Sequence, residues 1–390
     1  MKLLITGDVC FKNQHEVNAE SAKDILAPIL PYFEAADYRV MNLETPLAEE
    51  GVGAPILKSG PNIIGRPRNI GLLTTAHCDC TVLANNHTKD FGEEALYSTF
   101  DIVDNAGIAR CGAGKDIEEA YRAHRFEKDG IRVSLIAVCE NEFGIADFHT
   151  SGTAGFDLER LGDKIREEKA VSDFAVVIFH GGCEHNPLPS PLCRERYRTI
   201  IRLGADALIG GHTHCIQGYE YYDGKPIVYS MGNFLFKWDK ESVSWHYGYM
   251  SELTLEKGTA PALRVIPYRQ APDGSSVTPL SGQTLSDMLA YIEKVSAYIG
   301  NTEELTRLYQ GWCAISGVPY IRSLVAKPEY FDPATPPADI GALKNLLSCE
   351  AHNELVRTTL NLAFAGRMGE AYRIAEEVRV LQRLPVEENN

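Results

Sequence analysis

The chain has 390 residues, of which 44% are hydrophobic and 23% are charged, as in a globular protein with one large domain and an appendage, or with two domains. This composition excludes a collagen, a coiled coil or a disordered polymer as a description of the whole chain. Its 38 Lys and Arg against 53 Asp and Glu give a formal net charge of -15, which argues against a nucleic-acid partner. An anionic substrate would need a local source of positive charge.

The N-terminus reads MKLLITGDV and lacks the pattern of a secretory signal peptide. No stretch reaches the roughly 18 consecutive apolar residues of a membrane span. We therefore expect a cytoplasmic protein whose ten cysteines are mostly reduced. Cys78 and Cys80 are expected to be buried core thiols, and the absence of any CxxC pair argues against a zinc ribbon or a thioredoxin-type site.

Short apolar runs alternate with longer helical patterns through the first two thirds of the chain, which predicts a layered α/β fold. The predicted strands cover residues 2–6, 38–42, 80–84, 133–138, 174–179, 207–210 and 226–230. The predicted helices cover residues 22–33, 93–106, 158–171 and 193–203. Two further β-like segments, 249–255 and 263–268, are predicted to form a hairpin.

Residues 271–282 are rich in Pro, Gly, Ser and Thr and are predicted to be a linker. A helical region of about a hundred residues follows. Thr284 and Asp287 have the spacing of a capping box, which predicts that the first helix begins there. The predicted helices cover residues 285–299, 304–314, 340–347, 353–364 and 370–384. A Pro-rich stretch lies at 328–337. The apolar stripes of these helices suit packing against the first domain or against a second subunit, and no catalytic constellation is evident in them.

Metal-capable side chains directly follow five of the predicted strands. The carboxyl ends of strands in an α/β sheet meet at one edge, so these residues can converge there. Two histidines at i and i+2 in an extended segment point to the same face, so His212 and His214 could share one site. The residues concerned are Asp8, Glu44, Asn85, Asn86, His87, His180, His212 and His214.

Carboxylates, a carboxamide and imidazoles together form a mixed oxygen and nitrogen ligand set. Such a set suits Mn, Fe, Zn or Ni rather than Ca, which prefers oxygen alone. The competing interpretation is a polar sheet edge that holds no ion.

Six separated motifs occur in an order that resembles the CapA-type poly-γ-glutamate capsule biosynthesis family, a branch of the calcineurin-like metallophosphoesterase superfamily. The resemblance covers about residues 1–270, and the motifs are Gly7-Asp8, Asn42-Leu43-Glu44, Ala84 to His87, His180, Gly211 to His214 and Tyr229 to Phe234. It implies a four-layer α/β/β/α metallophosphatase-like domain over residues 1–270, with the helical C-terminal region, 283–390, outside it. It also implies one or two divalent ions of Mn, Fe or Zn.

The resemblance also assigns roles to individual residues. It implies that Asp8 and His214 bind a first metal, that Glu44 bridges, and that Asn86, His180 and His212 bind a second metal. His87 would be the proton donor or the group that stabilises the leaving oxygen.

Two positions depart from the superfamily pattern, because Glu44 stands where an Asp is usual and Cys10 stands where the first motif has a His. The longer carboxylate could alter the spacing of the metals. Cys10 either binds as a thiolate or is not a ligand, and the second alternative is favoured slightly.

Five further residues are expected around the ligands. Asn42, Asn85 and Asn233 are candidates for orienting them by hydrogen bonds. Glu184 and His185 lie on the substrate side of the site or are solvated loop residues, and both alternatives stay open. The loops 51–68 and 141–155, which would line the cleft, carry no recognisable substrate signature.

The function implied by the resemblance is that of a metal-dependent hydrolase, most simply a phosphoesterase that uses a metal-activated hydroxide on a small or polymeric anionic substrate. One alternative is a metal-binding accessory protein, with little or no catalysis, in the biosynthesis of poly-γ-glutamate or another cell-envelope polymer. Another is an amide hydrolase with the same metal site. The sequence does not separate these three.

Overall fold

The computed structural model describes residues 1–12, 14–238, 242–323 and 338–387. The Pro-rich stretch at 328–337 lies outside them. Sixteen strands occur in this part of the chain: β1 (Lys2–Cys10), β2 (Tyr38–Leu43), β3 (Cys80–Val82), β4 (Ala109–Cys111), β5 (Ala113–Gly114), β6 (His124–Lys128), β7 (Ile131–Cys139), β8 (Gly152–Thr153), β9 (Phe174–His180), β10 (Ala207–Gly211), β11 (Tyr219–Tyr222), β12 (Lys225–Val228), β13 (Asn233–Phe236), β14 (Tyr247–Thr254), β15 (Ala262–Gln270) and β16 (Val277–Pro279).

The α-helices of the described residues fall into two groups along the chain. Seven belong to the first part: α1 (Ala19–Leu26), α2 (Leu30–Glu34), α3 (Ile70–Thr75), α4 (Gly92–Asn105), α5 (Ile117–Ala120), α6 (Leu158–Val171) and α7 (Pro191–Arg202). Six follow the strands: α8 (Gly282–Gly300), α9 (Thr302–Trp312), α10 (Val318–Ser323), α11 (Ala338–Ser348), α12 (Glu350–Phe364) and α13 (Met368–Gln382), with a π-helical turn, Cys313–Gly317, between α9 and α10.

Two mixed sheets form the centre of the fold. The first has the order β16-β15-β14-β1-β2-β3-β4, with β13 also pairing with β1, and the second has the order β11-β12-β10-β9-β7-β6. Strands β1, β2 and β3 are parallel, as are β7, β9, β10 and β12. The carboxyl ends of these strands carry the candidate ligands.

Alternating side chains divide the core into layers, because successive residues of a strand point to opposite faces. Leu3 and Ile5 of β1 belong to a core cluster shared with the second sheet. Leu4, between them, belongs to a second cluster with α1 to α4. The outer face of the second sheet is covered by α6 and α7. This is the predicted α/β/β/α arrangement.

All seven predicted strands are present, and the predicted hairpin is the antiparallel pair of β14 and β15. The predicted single helix over residues 22–33 is wrong, because α1 ends at Leu26 and α2 begins at Leu30. The predicted capping box at Thr284 is also wrong, since α8 begins at Gly282, after the cap residue Ser281, and Thr284 lies inside the helix. Within the predicted linker, β16 pairs with β15 at the edge of the first sheet.

The C-terminal helices share the hydrophobic core of the second sheet. Ile292, Leu308 and Leu355 belong to the same cluster of buried side chains as Val176 of β9. Polar contacts add to this packing, for example from Arg194 Nη1, which donates to the Ile299 carbonyl at 3.0 Å. The division into a domain over 1–270 and a helical region over 283–390 stays a prediction.

Candidate metal centre and adjoining cavity

Asp8 lies in the middle of the first sheet, near the end of β1. In the strand register it is opposite Asn42 of β2 and opposite Asn233 of β13. Gly7 allows this close approach, because a Cβ at position 7 would stand 1.9 Å from the Gly232 carbonyl oxygen. Asn42 Nδ2 donates to Asp8 Oδ1 at 2.7 Å and lies 3.3 Å from His180 Nδ1. Asn42 therefore orients two of the candidate ligands.

Glu44 follows β2 and is fully buried, and neither of its carboxylate oxygens has a hydrogen-bond partner among the described residues. Its Oε1 lies 3.5 Å from His180 Nε2, at the end of β9. A buried carboxylate that accepts no hydrogen bonds is costly, because burial removes the hydrogen bonds that water would donate to it. A cation is the partner that would best compensate it.

His212 and His214 follow β10 in a tight turn. The expectation of an extended segment is wrong, since both residues have positive φ, 87° and 55°. The turn still directs both side chains to the site: His212 Nδ1 lies 3.2 Å from His180 Nε2, and His214 Nδ1 lies 3.9 Å from Asp8 Oδ2. The His212 backbone N–H donates to Asp8 Oδ2 at 3.1 Å. His214 Nδ1 also lies 2.9 Å from Asn233 Oδ1, which fixes the ring.

These side chains form two overlapping groups whose ligand atoms lie within 4.8 Å of one another: Glu44, His180 and His212, and Asp8, Glu44 and His214. Glu44 is common to both groups. The donor set of buried carboxylates and imidazoles fits one or two divalent cations. The pairing of ligands implied by the family resemblance corresponds to this geometry, while the metal roles themselves remain a proposal.

Burial shifts the pKa values of the candidate ligands: it raises those of the carboxyl groups and lowers those of the imidazoles. It raises the pKa of Asp8 to about 7, with the charge of Glu44 adding to the effect, and it raises the pKa of Glu44 to about 8. Burial lowers the pKa of His180 and of His212 to about 4. Both rings are therefore neutral near pH 7 and keep a lone pair for a metal, whereas the ionised carboxylates need a nearby cation.

The residues after β3 extend the site toward solvent. Asn86 Oδ1 lies 3.2 Å from His180 Nε2, which places this amide beside the group of Glu44, His180 and His212. Asn85 Nδ2 donates to Asn42 Oδ1 at 3.2 Å, and its Oδ1 accepts from the His87 backbone N–H at 3.1 Å. Asn85 thus links the strand ends rather than facing an ion.

His87 is held by two residues that the sequence did not single out. Its Nδ1 lies 2.7 Å from Asp90 Oδ2 and 3.0 Å from Lys58 Nζ, and Lys58 also forms an ion pair with Asp90. Lys58 is in the loop 51–68, and its side chain is only 2% exposed. With Nδ1 occupied by Asp90, Nε2 is the ring nitrogen left for another partner.

Cys10 is completely buried among Ile63, Phe236 and Trp245. Burial raises the pKa of its thiol, and the nearby charge of Glu44 raises it further. Within the described part of the chain, Cys10 belongs to neither ligand group. These observations favour the alternative in which Cys10 is not a ligand. All ten cysteines are buried free thiols, including Cys78 and Cys80.

A cavity of about 340 Å³ adjoins the candidate metal centre at Asn86 and His87. One wall comes from the loops of the first part of the chain, with Lys58, Glu142, Phe143 and Glu184. The C-terminal helices also line the cavity, with side chains that include Tyr320, Asn345, Leu346 and His352. The C-terminal helices, in which the sequence showed no catalytic constellation, thus contribute side chains to the lining of this cavity.

His185 faces a different cavity from its neighbour Glu184. This cavity has a volume of about 550 Å³ and is also lined by Arg379 and Arg383. The His185 ring lies 6.3 Å from that of His214 and 6.0 Å from that of Trp245. Glu184 and His185 thus lie on the cavity side of the site, beyond the two ligand groups.

Comparison with known protein families agrees with this geometry. Residues 2–238 match the family model described as bacterial capsule synthesis protein PGA_cap. The chain belongs to this capsule synthesis family. The resemblance to CapA-type capsule biosynthesis proteins is thereby confirmed.

Two Bacillus members of the family have similar sequences. The PGA biosynthesis protein CapA of Bacillus subtilis is 26% identical over 59% of this chain and 62% of its own length. The capsule biosynthesis protein CapA of Bacillus anthracis is 25% identical over 60% of this chain and 60% of its own length. The chain thus spans less than two thirds of either relative.

Two solved structures also align with the chain. One is a 5′-nucleotidase precursor from Thermus thermophilus, with a TM-score of 0.43, 15% identity, and coverage of 77% of this chain and 59% of that one. The other is a phosphatase of Mycoplasma pneumoniae, with a TM-score of 0.39, 12% identity, and coverage of 71% of this chain and 90% of that one.

Among the described helices, none combines the length and apolarity needed to cross a bilayer.

Proposed function

We propose that this protein is a metal-dependent hydrolase that acts on a phosphoester. The observation that carries the proposal is the environment of Glu44, a fully buried carboxylate that lacks hydrogen-bond partners in the described part of the chain and is common to two groups of carboxylate and imidazole ligands. Asp8, Glu44 and His214 would hold one divalent ion. Glu44, His180 and His212 would hold a second, with the Asn86 amide beside it.

Divalent ions bound there would supply Lewis-acid polarisation of the phosphoryl group and activation of water. They would also bring the local positive charge that an anionic substrate needs in a chain of net charge -15. The chain itself supplies the proton donor. His87 borders the cavity, and the contact of its Nδ1 with Asp90 Oδ2 at 2.7 Å holds the ring and leaves Nε2 as the nitrogen that would serve the leaving oxygen.

The test begins with elemental analysis of protein purified without chelator, followed by activity assays on an aryl phosphate and on a bis-aryl phosphate. We expect one or two equivalents of Mn, Fe or Zn at this centre, counted as the metal that His212→Ala loses, and metal-dependent turnover. His212→Ala should lose metal and turnover together. His87→Ala should keep its metal and lose turnover by about 100-fold or more. Undiminished turnover in His212→Ala would contradict the proposal.

An accessory role in polymer biosynthesis is the second candidate. It is favoured by the names of the Bacillus relatives and of a Mycobacterium tuberculosis relative described as a "probable polyglutamine synthesis accessory protein". Binding of poly-γ-glutamate at moderate salt, without hydrolysis of any phosphoester, would support this role. Hydrolysis of the polymer's amide bonds by the metal-loaded protein would instead identify an amide hydrolase that uses the same residues.

A further inference from the structure

A third group of metal-capable side chains shares no residue with the two groups above, and two of its members, Glu142 and His352, line the cavity of about 340 Å³. Ligand atoms of Glu142, Cys349 and His352 lie within 4.8 Å of one another. Glu142 follows β7, whereas Cys349 precedes α12 and His352 is in its first turn. The cluster therefore joins the sheet region to the C-terminal helices, and the spacing Cys-x-x-His brings two of its members to one side of a helix start.

The histidine of this cluster is already oriented by neighbours. His352 Nδ1 lies 3.8 Å from Glu142 Oε1, while its other nitrogen, Nε2, lies 3.3 Å from the Tyr320 hydroxyl. Metal-binding histidines commonly have the second ring nitrogen fixed in this way by an outer hydrogen-bond partner. The side chains of Glu142 and His352 are only 8% and 13% exposed.

Asn345 supplies an independent indication of a further partner. Its side chain is buried, and its Nδ2 lies 3.3 Å from both Glu142 Oε1 and His352 Nδ1. Its Oδ1 is buried without a hydrogen-bond partner among the described residues. Rotation of the amide by half a turn would exchange these two atoms and present a carbonyl oxygen to the cluster, as a metal ligand requires.

The charge around Cys349 also favours a cation. Cys349 Sγ lies 3.4 Å from Oε2 of Glu140, which is itself buried. Arg196 Nη1, 3.4 Å from Glu140 Oε1, compensates part of this negative charge. A divalent ion would compensate the rest and displace the thiol proton to solvent.

We propose that Glu142, Cys349 and His352, with the Asn345 carbonyl oxygen, form a separate zinc site that fastens the C-terminal helices to the rim of the cavity. Thiolate and imidazole ligands with one carboxylate suit zinc and also accept cobalt. The site has a structural role, since it links α11 and α12 to the loop after β7 that forms the cavity wall. It is independent of the proposed hydrolase activity.

Substitution with cobalt tests this proposal without an activity assay. The ligands of the two other groups are all oxygen or nitrogen, so a thiolate-to-cobalt absorption band in the near ultraviolet reports a cysteine ligand. We expect the band in the cobalt-loaded full-length protein and in Cys10→Ser, and its loss in Cys349→Ser. His352→Gln should weaken cobalt binding at the same site, which keeps the test valid if Cys349→Ser folds poorly.

Zinc analysis provides the second measurement. Cys349→Ser should contain about one equivalent of zinc less than the unchanged protein, while Cys10→Ser should contain the same amount. Absence of the cobalt band from the unchanged protein would overturn the proposal. A band that persists in Cys349→Ser would also overturn it. A band that disappears in Cys10→Ser would overturn it as well, because the thiolate ligand would then belong to the other centre.

Discussion

Asn42 Nδ2 donates to Asp8 Oδ1 at 2.7 Å, across the parallel pairing of the first two strands. The same nitrogen lies 3.3 Å from His180 Nδ1, so one amide fixes a carboxylate and an imidazole that face the candidate metal centre. Asn42→Ala should therefore lower the affinity for Mn or Zn by about 10- to 100-fold, because both ligands gain rotational freedom. Isothermal titration calorimetry with Mn or Zn measures this change in metal affinity.

Asn18→Ala is the matched control for this substitution. Asn18 caps α1, outside both ligand groups, through its Oδ1 and the backbone N–H groups of Glu20 and Ser21. Its loss should cost about 1 kcal/mol of stability without any change in metal affinity. Equal metal affinities for Asn42→Ala and the unchanged protein would show that Asn42 does not position the ligands.

Asp90→Asn should impair the assigned proton donor without emptying the metal centre. Asp90 Oδ2 lies 2.7 Å from His87 Nδ1, and a neutral amide at position 90 would hold the ring less firmly, because hydrogen bonds to a charged carboxylate are stronger. We expect kcat on an aryl phosphate to fall by about 10- to 100-fold with an unchanged metal content. Asp104→Asn, which affects only an exposed pair with Arg110, should leave both quantities unchanged.

The stability of the metal-free protein should fall as pH rises from 6.5 to about 8. The pKa values of Asp8 and Glu44 are raised in the folded protein, to about 7 and about 8, so it retains carboxyl protons that the unfolded chain has released. The pKa values of His180 and His212 are lowered from 6.5 to about 4. These two groups make the folded protein more stable as pH rises from about 4 to 6.5, and they change its stability little above pH 6.5. Thermal unfolding of chelator-treated protein should show the falling Tm.

Two comparisons identify the source of this pH dependence. Glu44→Gln removes one of the two carboxyl groups and relieves the charge repulsion on Asp8, so its Tm should depend less on pH in the same range. Added Mn or Zn should also flatten the curve, because the ionised carboxylates then have a cation. A Tm that rises over this range in metal-free protein would contradict the raised pKa values.

Gly7→Ala should destabilise the protein and disturb the centre together. The added Cβ would stand 1.9 Å from the Gly232 carbonyl oxygen, so β1 must shift at the residue before Asp8. We expect a loss of about 1–3 kcal/mol in the free energy of unfolding by urea and a reduced metal content. Gly300→Ala is the control, since its added Cβ would meet no described atom within 4 Å apart from adjacent residues and the backbone of its own helix, and its stability should change by about 0.5 kcal/mol or less.

The sequence by itself determined the layered fold and most of the candidate centre. Short apolar runs marked β1, β2 and β9, and the polar residues at their carboxyl ends, such as Glu44 and His180, had to meet at one edge. These short-range patterns can be recognised in the sequence because side-chain alternation along a strand is a local property of the backbone.

Tertiary structure decided what surrounds that centre. Lys58 contacts His87 across 29 positions of sequence, and Asn345 contacts Glu142 across 203, so neither pair has a local pattern. The positive φ of His212 is likewise imposed by the turn that brings its backbone N–H to Asp8. Loop closure and the packing of the C-terminal helices place these residues, and both depend on the whole core rather than on any one segment.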